Sequence, residues 1–428
     1  MPLRPATRLL YALGGFGASL LQQSVLLWIF FFYAPPPGQS LPARATPVVV
    51  GLAMAAGRFV DAVADPLIAH WSDRLRGRFG RRRPFILAAS PLLAGSFILL
   101  WYPPAAEPVR ANAIYLTIVL GLFFFLYTMV LNPYTALLPE ITAGGAGRVA
   151  TTTLQAAANI AGVGAAFVGS SWLSARLGFP AMGLILAPVA LAALLAPVFA
   201  VREAVPTEPA LSLRASLRAV LADRRFRVFI PAIATMWFGL SMISLSLALI
   251  VTVLMGMAQA AVGGVLAISL GATILSLPLT GTAVRRWGAR RTMIAAMTLL
   301  AILLIPAAMV GRWPVSLSPT LQGYLILIAA APAIGALFVL PNTLLASIAE
   351  EHGRAGGGRV EGMFFAFQGL IFNGATSLSA AALGGLLDRL GQAPPQAAGL
   401  RTALLVAAAA TATGAVIFRR YPATGDEG

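Results

Sequence analysis

Cysteine and lysine are both absent from this 428-residue chain, and only 14 residues are acidic. Without cysteine the protein has no disulfide, no thiolate nucleophile and no cysteine-based metal site. Charged residues make up 10% of the sequence and hydrophobic residues 59%. An average soluble domain is about 25% charged. The composition therefore predicts a polytopic membrane protein.

The formal net charge of +16 comes from arginine alone. We do not expect a nucleic-acid partner, because the arginines gather in short loops between apolar runs, as in membrane proteins. The apolar stretch that follows Arg8 is too long for the core of a signal peptide, so we interpret it as the first span.

Twelve apolar runs are long enough to cross a bilayer, which takes about 20 residues. The longest polar stretch divides them into two sets of six. We predict an N-terminal six-helix bundle (1–201), a cytoplasmic linker (202–225) and a C-terminal six-helix bundle (226–428). The runs lie at 9–33, 47–70, 84–102, 112–139, 151–175, 179–201, 226–255, 260–282, 290–311, 320–348, 361–386 and 399–419.

The two sets resemble each other, since LNPYTALLPEI from Leu131 is echoed by LPNTLLASIAEE from Leu340. The fold class is therefore an all-α membrane protein with two pseudo-symmetric bundles, an arrangement typical of transporters. With both termini inside, 23 arginines lie on the cytoplasmic side and 6 outside. This bias predicts a multi-pass protein of the cell (inner) membrane with both termini in the cytoplasm.

Arg58, Asp61 and Asp65 interrupt the second apolar run. Their spacing places them on one face of a helix. Because burying such groups in a bilayer is costly, we expect them to face a polar cavity. Two neighbouring carboxylates repel each other, and a bound proton or small cation removes that cost. Arg58 is the expected charge partner; the alternative is a purely structural Arg–Asp pair between two helices.

Several segments resemble the glycoside–pentoside–hexuronide:cation symporters of the major facilitator superfamily. The most specific is GRFVDAVADP followed by SDRLRGRFGRRRPF, within 57–85. GFGAS in the first span, YTMVLNPYTALLP in the fourth and GRVEGMFFAFQ before the eleventh extend the resemblance. It implies the major facilitator fold and cation-coupled symport of a sugar, glycoside or related small solute by alternating access. It also implies a monomer in contact with membrane lipids, with no catalytic residue, bound metal or cofactor.

The resemblance assigns the coupling ion to three residues. Asp61 and Asp65 match the family's cation ligands, and Thr128 matches its hydroxyl ligand on the fourth helix. Ala64 stands where the family usually has an asparagine ligand. Because a proton needs only a carboxylate, losing that oxygen favours H⁺ over Na⁺, although Na⁺ stays possible.

The substrate side departs from the family. Ser19 and Leu131 occupy the positions of its sugar-binding acids, while Thr135, Gln155 and Asn373 replace its tryptophan, arginine and lysine. A sugar still needs converging donors and acceptors, although each candidate also fits an interhelical hydrogen bond. The candidates are Ser19, Gln22, Gln23, Asn132, Tyr134, Thr135, Gln155, Asn159, Asn342, Gln368 and Asn373; Thr128 is counted with the cation site.

Two clusters resemble latches that hold the halves of a facilitator together. The alternative is that their arginines only set the membrane orientation. The first cluster consists of Asp73, Arg74, Arg81 and Arg82, and the second of Arg359 and Glu361.

The sequence also leaves other functions open. Without the charged anchors, the substrate is either a neutral sugar or an amphiphile such as a lysolipid. A membrane prenyltransferase would use Asp61 and Asp65 to hold Mg²⁺ and a diphosphate, but it needs a second acidic cluster that no other span offers. A non-transporting membrane receptor or assembly factor on the same fold is the third alternative.

Overall fold

The computed structural model describes residues 5–74, 80–141, 145–200, 223–354, 361–393 and 397–422, and these ranges contain no β-strand. The first half forms α1 (Pro5–Tyr33), α2 (Pro47–Arg74), α3 (Arg83–Leu99), α4 (Arg110–Ile141), α5 (Gly145–Leu177) and α6 (Phe179–Ala200). The second half forms α7 (Arg224–Leu249), α8 (Val262–Ala308), α9 (Pro319–Arg354), α10 (Glu361–Leu390) and α11 (Ala398–Phe418). A π-helical turn at Ile250–Leu254 and a 3₁₀ turn at Gln259–Ala261 lie between α7 and α8.

Helix α8 contains two of the predicted spans. Gly288 (φ 80°, ψ 160°) breaks it into segments 262–287 and 289–308. This backbone conformation favours glycine, which has no Cβ to clash. The sequence predicts a loop between the runs 260–282 and 290–311. The structure replaces that loop with a break of one residue, because the arginine-containing turns on both sides remain helical.

The twelve predicted spans are confirmed. Among the described residues, 10 helices are long and apolar enough to cross a membrane, with α8 counted once. Helix α3 is apolar but has 17 residues, close to the shortest length that spans a bilayer. Counting α3 and both segments of α8 gives the number that the sequence predicts.

The described chain forms two compact units. The first contains α1–α6 together with 258–266, and the second contains the other helical segments. Within the first unit, Gln259 Nε2 donates to Ser174 Oγ of α5 at 3.0 Å. The predicted linker at 202–225 lies largely outside the described residues, so the predicted domain boundaries stay a prediction.

In the first unit, α1 packs against α5 and α6, while α2 packs along α4. Aromatic rings fill one end of this unit, where Trp28 makes an edge contact with Phe179 at 5.4 Å and Trp101 stacks on Phe179 at 5.6 Å. The Trp28 indole N–H donates to Ser170 Oγ of α5 at 2.7 Å. The buried ring of Trp28 and the hydrogen bond of its N–H group therefore join α1 to α5 and α6.

In the second unit, α7 packs against α10 and α11. Small residues let α7 and α11 approach closely, since a Cβ on Gly239 would lie 2.9 Å from the Ala407 carbonyl. Arg401 is buried in the first turn of α11, where it donates to the carbonyls of Ala308 at 2.5 Å and Val310 at 3.0 Å. It thereby satisfies backbone acceptors that α8 leaves open at its end.

Candidate functional site

Helix α2 has two faces of opposite character. Phe59, Val63, Leu67 and Trp71 recur every four residues and are exposed, which makes one face an apolar stripe. Arg58, Asp61 and Asp65 lie on a different face of the helix, which packs against α4. Helices α2 and α4 both belong to the first unit.

Arg58 and Asp61 form a buried ion pair. Their side chains are 1% and 7% exposed, and Arg58 Nη1 lies 3.3 Å from Asp61 Oδ2. The guanidinium carbon of Arg58 lies 4.3 Å from the ring centroid of Phe124 on α4, a cation–π distance. Thr128 Oγ1, also on α4, donates to Asp61 Oδ1. The charge of Asp61 is therefore balanced by Arg58, and both of its oxygens accept hydrogen bonds.

Asp65 lies one turn further along α2 and is half-buried. Asn132 Nδ2 of α4 donates to Asp65 Oδ1 at 3.1 Å and to the backbone carbonyl of Asp65 at 3.2 Å. The amide of Asn132 is neutral and adds no charge. With all three groups ionised, Arg58, Asp61 and Asp65 carry a formal charge of about −1. One proton or one monovalent cation brings this trio, which we call the α2 charge cluster, to zero.

Gly57 sets the distance between α2 and α4 beside this cluster. A Cβ at this position would lie 2.7 Å from Phe124 Cδ2 and 3.3 Å from the Leu120 carbonyl. The helices can approach only because Gly57 has no side chain. This approach keeps Thr128 within hydrogen-bonding distance of Asp61.

We expect the Gly57→Ala substitution to lower the free energy of unfolding by about 1–3 kcal/mol, the usual cost of overpacking. It should also weaken the hydrogen bond between Thr128 and Asp61, because a larger side chain pushes α2 and α4 apart. Gly121→Ala is the matched control on α4, since its Cβ would lie 4.0 Å from the nearest atom, Val60 Cγ2. Thermal unfolding in detergent measures the loss of stability. An equal loss of stability in Gly57→Ala and Gly121→Ala would contradict this role for Gly57.

Two candidate substrate residues join α4 to α1. The Tyr127 hydroxyl donates to Gln22 Oε1 at 3.3 Å. The Tyr134 hydroxyl donates to the Tyr11 carbonyl at 2.9 Å, and the two tyrosine rings stack at 4.7 Å. Tyr134 is buried by these contacts, so its hydroxyl is engaged in holding helices together.

The other candidates of the first unit lie on α1, α4 and α5. Ser19, Gln23, Gln155 and Asn159 are half-buried. Ser19 and Asn159 lie in the contact between α1 and α5, against glycines of the opposite helix. Thr135 is exposed on α4 and donates to the Asn132 carbonyl at 3.1 Å within its own helix.

In the second unit, the candidates join α10 to α9. Gln368 Nε2 donates to Asn342 Oδ1 at 3.2 Å. Gln368 is buried, whereas Asn342 is exposed. Asn373 lies buried further along α10.

Sequence reasoning missed an aromatic group between α7, α9 and α10. Trp237 makes edge contacts with Phe372 at 4.8 Å and Phe338 at 5.6 Å between ring centroids. One turn further, the hydroxyls of Ser241 and Thr376 lie 2.9 Å apart. The indole Nε1 of Trp237 is buried and has no hydrogen-bond partner among the described residues. In the sequence these rings stand within continuous apolar runs, where aromatic residues give no functional signal.

The predicted latch residues are only partly described. Arg82 is 9% exposed, and its Nη1 donates to the Ala136 carbonyl of α4, so it fastens the start of α3 to α4. Arg81 is half-buried in the same turn. The side chains of Asp73, Arg74 and Glu361, and the whole of Arg359, lie outside the described part of the chain. The latch function stays a prediction.

A family model described as "MFS/sugar transport protein" matches residues 10–424. The uncharacterized symporter sll1374 of Synechocystis sp. is 31% identical over 161 residues, which cover 36% of this chain and 28% of that protein. The putative glycoside/cation symporter YagG of Escherichia coli is 31% identical over 133 residues, which cover 31% of this chain and 27% of that protein. The alignments thus span about a third or less of the curated relatives.

The fold is shared with solved transporter structures. The crystal structure of the nucleoside transporter NupG superposes with a TM-score of 0.70 at 14% sequence identity, over 98% of this chain and 99% of that chain. This likeness covers all the helices and supports the major facilitator fold.

Proposed function

Because this chain belongs to the MFS/sugar transport protein family, we propose that it is a secondary active transporter that carries a sugar, glycoside or related small solute together with a cation. The observation that carries the proposal is the α2 charge cluster. It is buried against α4 in a multi-pass membrane protein, where uncompensated charge is costly and marks function. The names of the relatives, symporter and glycoside/cation symporter, support the same class.

The cluster suggests how ion binding is linked to transport. With its three groups ionised, the cluster has a net negative charge. In a conformation closed to both sides of the membrane, that charge is buried away from water, which is unfavourable. A cation on Asp65 removes the charge and lowers this barrier. Asp61 is held by Arg58 and Thr128 and would remain ionised as the fixed partner. Asp65 is half-buried and more exposed than Asp61, so we propose that it takes up the coupling ion.

The partners of Asp65 favour a proton over Na⁺. Asn132 presents its Nδ2 donor to Asp65, as assigned from the hydrogen-bond geometry. A metal ion at this carboxylate would meet an N–H group and would require the amide to turn, whereas a proton leaves the contact in place. Ala64 is buried beside the acids and offers no side-chain oxygen to a metal.

We expect an imposed pH gradient to drive uptake, and an inward Na⁺ gradient at constant pH to add little. The experiment uses the purified chain in vesicles, with a panel of neutral mono- and disaccharides first screened by thermal stabilisation. Replacing Na⁺ by choline should leave the initial rate unchanged. Uptake that requires Na⁺ and ignores the pH gradient would contradict proton coupling.

A second substrate class is an amphiphile such as a lysolipid. The observation in its favour is that Ser19 and Leu131 occupy the positions of the family's charged sugar anchors. Stabilisation by lysophosphatidylcholine but by none of the sugars would select this class. The family match is to transport proteins, and we propose no catalytic role for Asp61 and Asp65.

The protein is a multi-pass membrane protein. We propose that both termini face the cytoplasm, in agreement with the arginine bias, and that the transporting form is a monomer in contact with lipid. The partner is the small solute itself, with H⁺ as the coupling ion.

A further inference from the structure

A groove in the second unit has no part in the proposed transport site. It lies where the two segments of α8 meet at Gly288 and pack beside α9, and its volume is about 320 Å³. This is within the usual size range of pockets that hold small molecules, about 300–1,000 Å³. We call it the α8–α9 groove, and its walls include Leu279, Thr280, Arg286, Trp287, Leu299 and Pro332.

The two ends of the groove differ in chemistry. Leu279, Leu299 and Pro332 provide an apolar wall, and Leu279 is 60% exposed. Arg286 and Trp287 stand close to the break in α8, and both are exposed. Tryptophan beside arginine is typical of the border between the hydrocarbon and headgroup layers of a membrane. The groove therefore matches a molecule with an apolar body and an anionic end.

Thr280 supplies an independent sign of a ligand. It is 7% exposed, lines the groove, and its Oγ1 is buried with no hydrogen-bond partner among the described residues. Its neighbours behave differently: Thr282 donates to the Pro278 carbonyl at 3.0 Å and Thr292 to the Gly288 carbonyl at 2.8 Å. A buried hydroxyl without a partner is unfavourable, so an acceptor carried by a bound molecule would stabilise this arrangement.

We propose that the α8–α9 groove binds an anionic phospholipid of the surrounding bilayer. The phosphate lies at Arg286, an ester carbonyl accepts a hydrogen bond from Thr280 Oγ1, and an acyl chain lies along Leu279 and Leu299. The occupant is a lipid rather than a soluble anion, because apolar groups dominate the walls and exposed leucines border the groove. This inference goes beyond the transport function and does not depend on it.

Tryptophan fluorescence tests the proposal, because Trp287 borders the groove. The full chain is placed in phosphatidylcholine vesicles that contain increasing fractions of dibrominated phosphatidylglycerol or, separately, dibrominated phosphatidylcholine. The signal of Trp287 is the difference between the native protein and its Trp287→Phe variant. We expect half-maximal quenching at a severalfold lower fraction of the anionic lipid, since one arginine near the membrane surface contributes roughly fivefold in affinity for anionic lipid.

Variants distinguish binding in the α8–α9 groove from non-specific electrostatic attraction of anionic lipids to the protein. Arg286→Gln should remove the preference, and Thr280→Val should shift half-maximal quenching by the anionic lipid to a higher lipid fraction. Arg420→Gln is the matched control, since Arg420 is exposed, is expected on the same side of the membrane and does not line the groove. It should keep the preference of the native protein.

Three results would overturn the proposal. The first is equal quenching of the Trp287 signal by the two brominated lipids. The second is a preference that Arg286→Gln keeps. The third is loss of quenching when millimolar inorganic phosphate is added, which would identify a site for a soluble anion instead of a lipid.

Discussion

Asp65→Asn should abolish accumulation of the solute against its gradient while leaving the protein folded in the membrane. Asparagine keeps the shape and the contact with Asn132 but cannot take up a proton. A gradient of one pH unit supplies about 1.4 kcal/mol, which supports roughly tenfold accumulation by a one-proton symporter. We expect the native protein to approach this ratio in vesicles and the variant to reach equal concentrations on both sides.

Asp388→Asn is the control for this experiment, because Asp388 is an exposed acid near the end of α10. It should accumulate the solute as the native protein does. We expect Asp61→Asn to fail as well, since it removes the negative partner of Arg58 and leaves the charge cluster positive once Asp65 is neutralised. Full accumulation by both cluster variants would exclude the coupling hypothesis.

Arg58→Leu should cause the largest loss of stability. Arg58 and Asp61 are buried together, and removing one partner of such a pair costs about 3–5 kcal/mol because the remaining charge has no counter-ion in a low-dielectric surrounding. The free energy of unfolding is measured by denaturation in mixed micelles. The pair also joins α2 to α4 through Phe124 and Thr128, so the loss should be cooperative.

Two further variants show whether this effect comes from the buried charge. The double variant Arg58→Leu/Asp61→Leu should recover most of the lost stability, because two apolar side chains replace the pair. Arg225→Leu breaks a more exposed pair with Glu351, whose side chains are 27% and 44% exposed, and should cost less than about 1 kcal/mol. A double variant that is less stable than Arg58→Leu would contradict this explanation.

Much of the fold follows from local sequence signals. Apolar runs of sufficient length predict the helices, and the offsets between Arg58, Asp61 and Asp65 predict a shared face, because both depend only on helix geometry. All three residues do lie against α4. The loop expected within α8 shows the limit of this reasoning, since arginine is a good helix former and a single glycine was enough to turn the chain.

The contacts between helices were less predictable. The sequence suggests Asn132 as a substrate residue and gives no sign that it donates to Asp65. The sequence likewise gives no sign that Arg401 holds the end of α8. In both cases the partner lies on another helix, and its identity depends on how far the two helices slide along each other. Periodicity within one run contains no information about that register.

Proton movement driven by the solute tests the central claim most directly. The purified chain is placed in lightly buffered vesicles without an imposed gradient, the selected sugar is added outside, and the external pH is recorded. The account predicts that the outside becomes more alkaline as sugar enters the native protein, with or without Na⁺, and that Asp65→Asn gives no pH change. Sugar entry without proton movement in the native protein, or equal proton movement in Asp65→Asn, would contradict it.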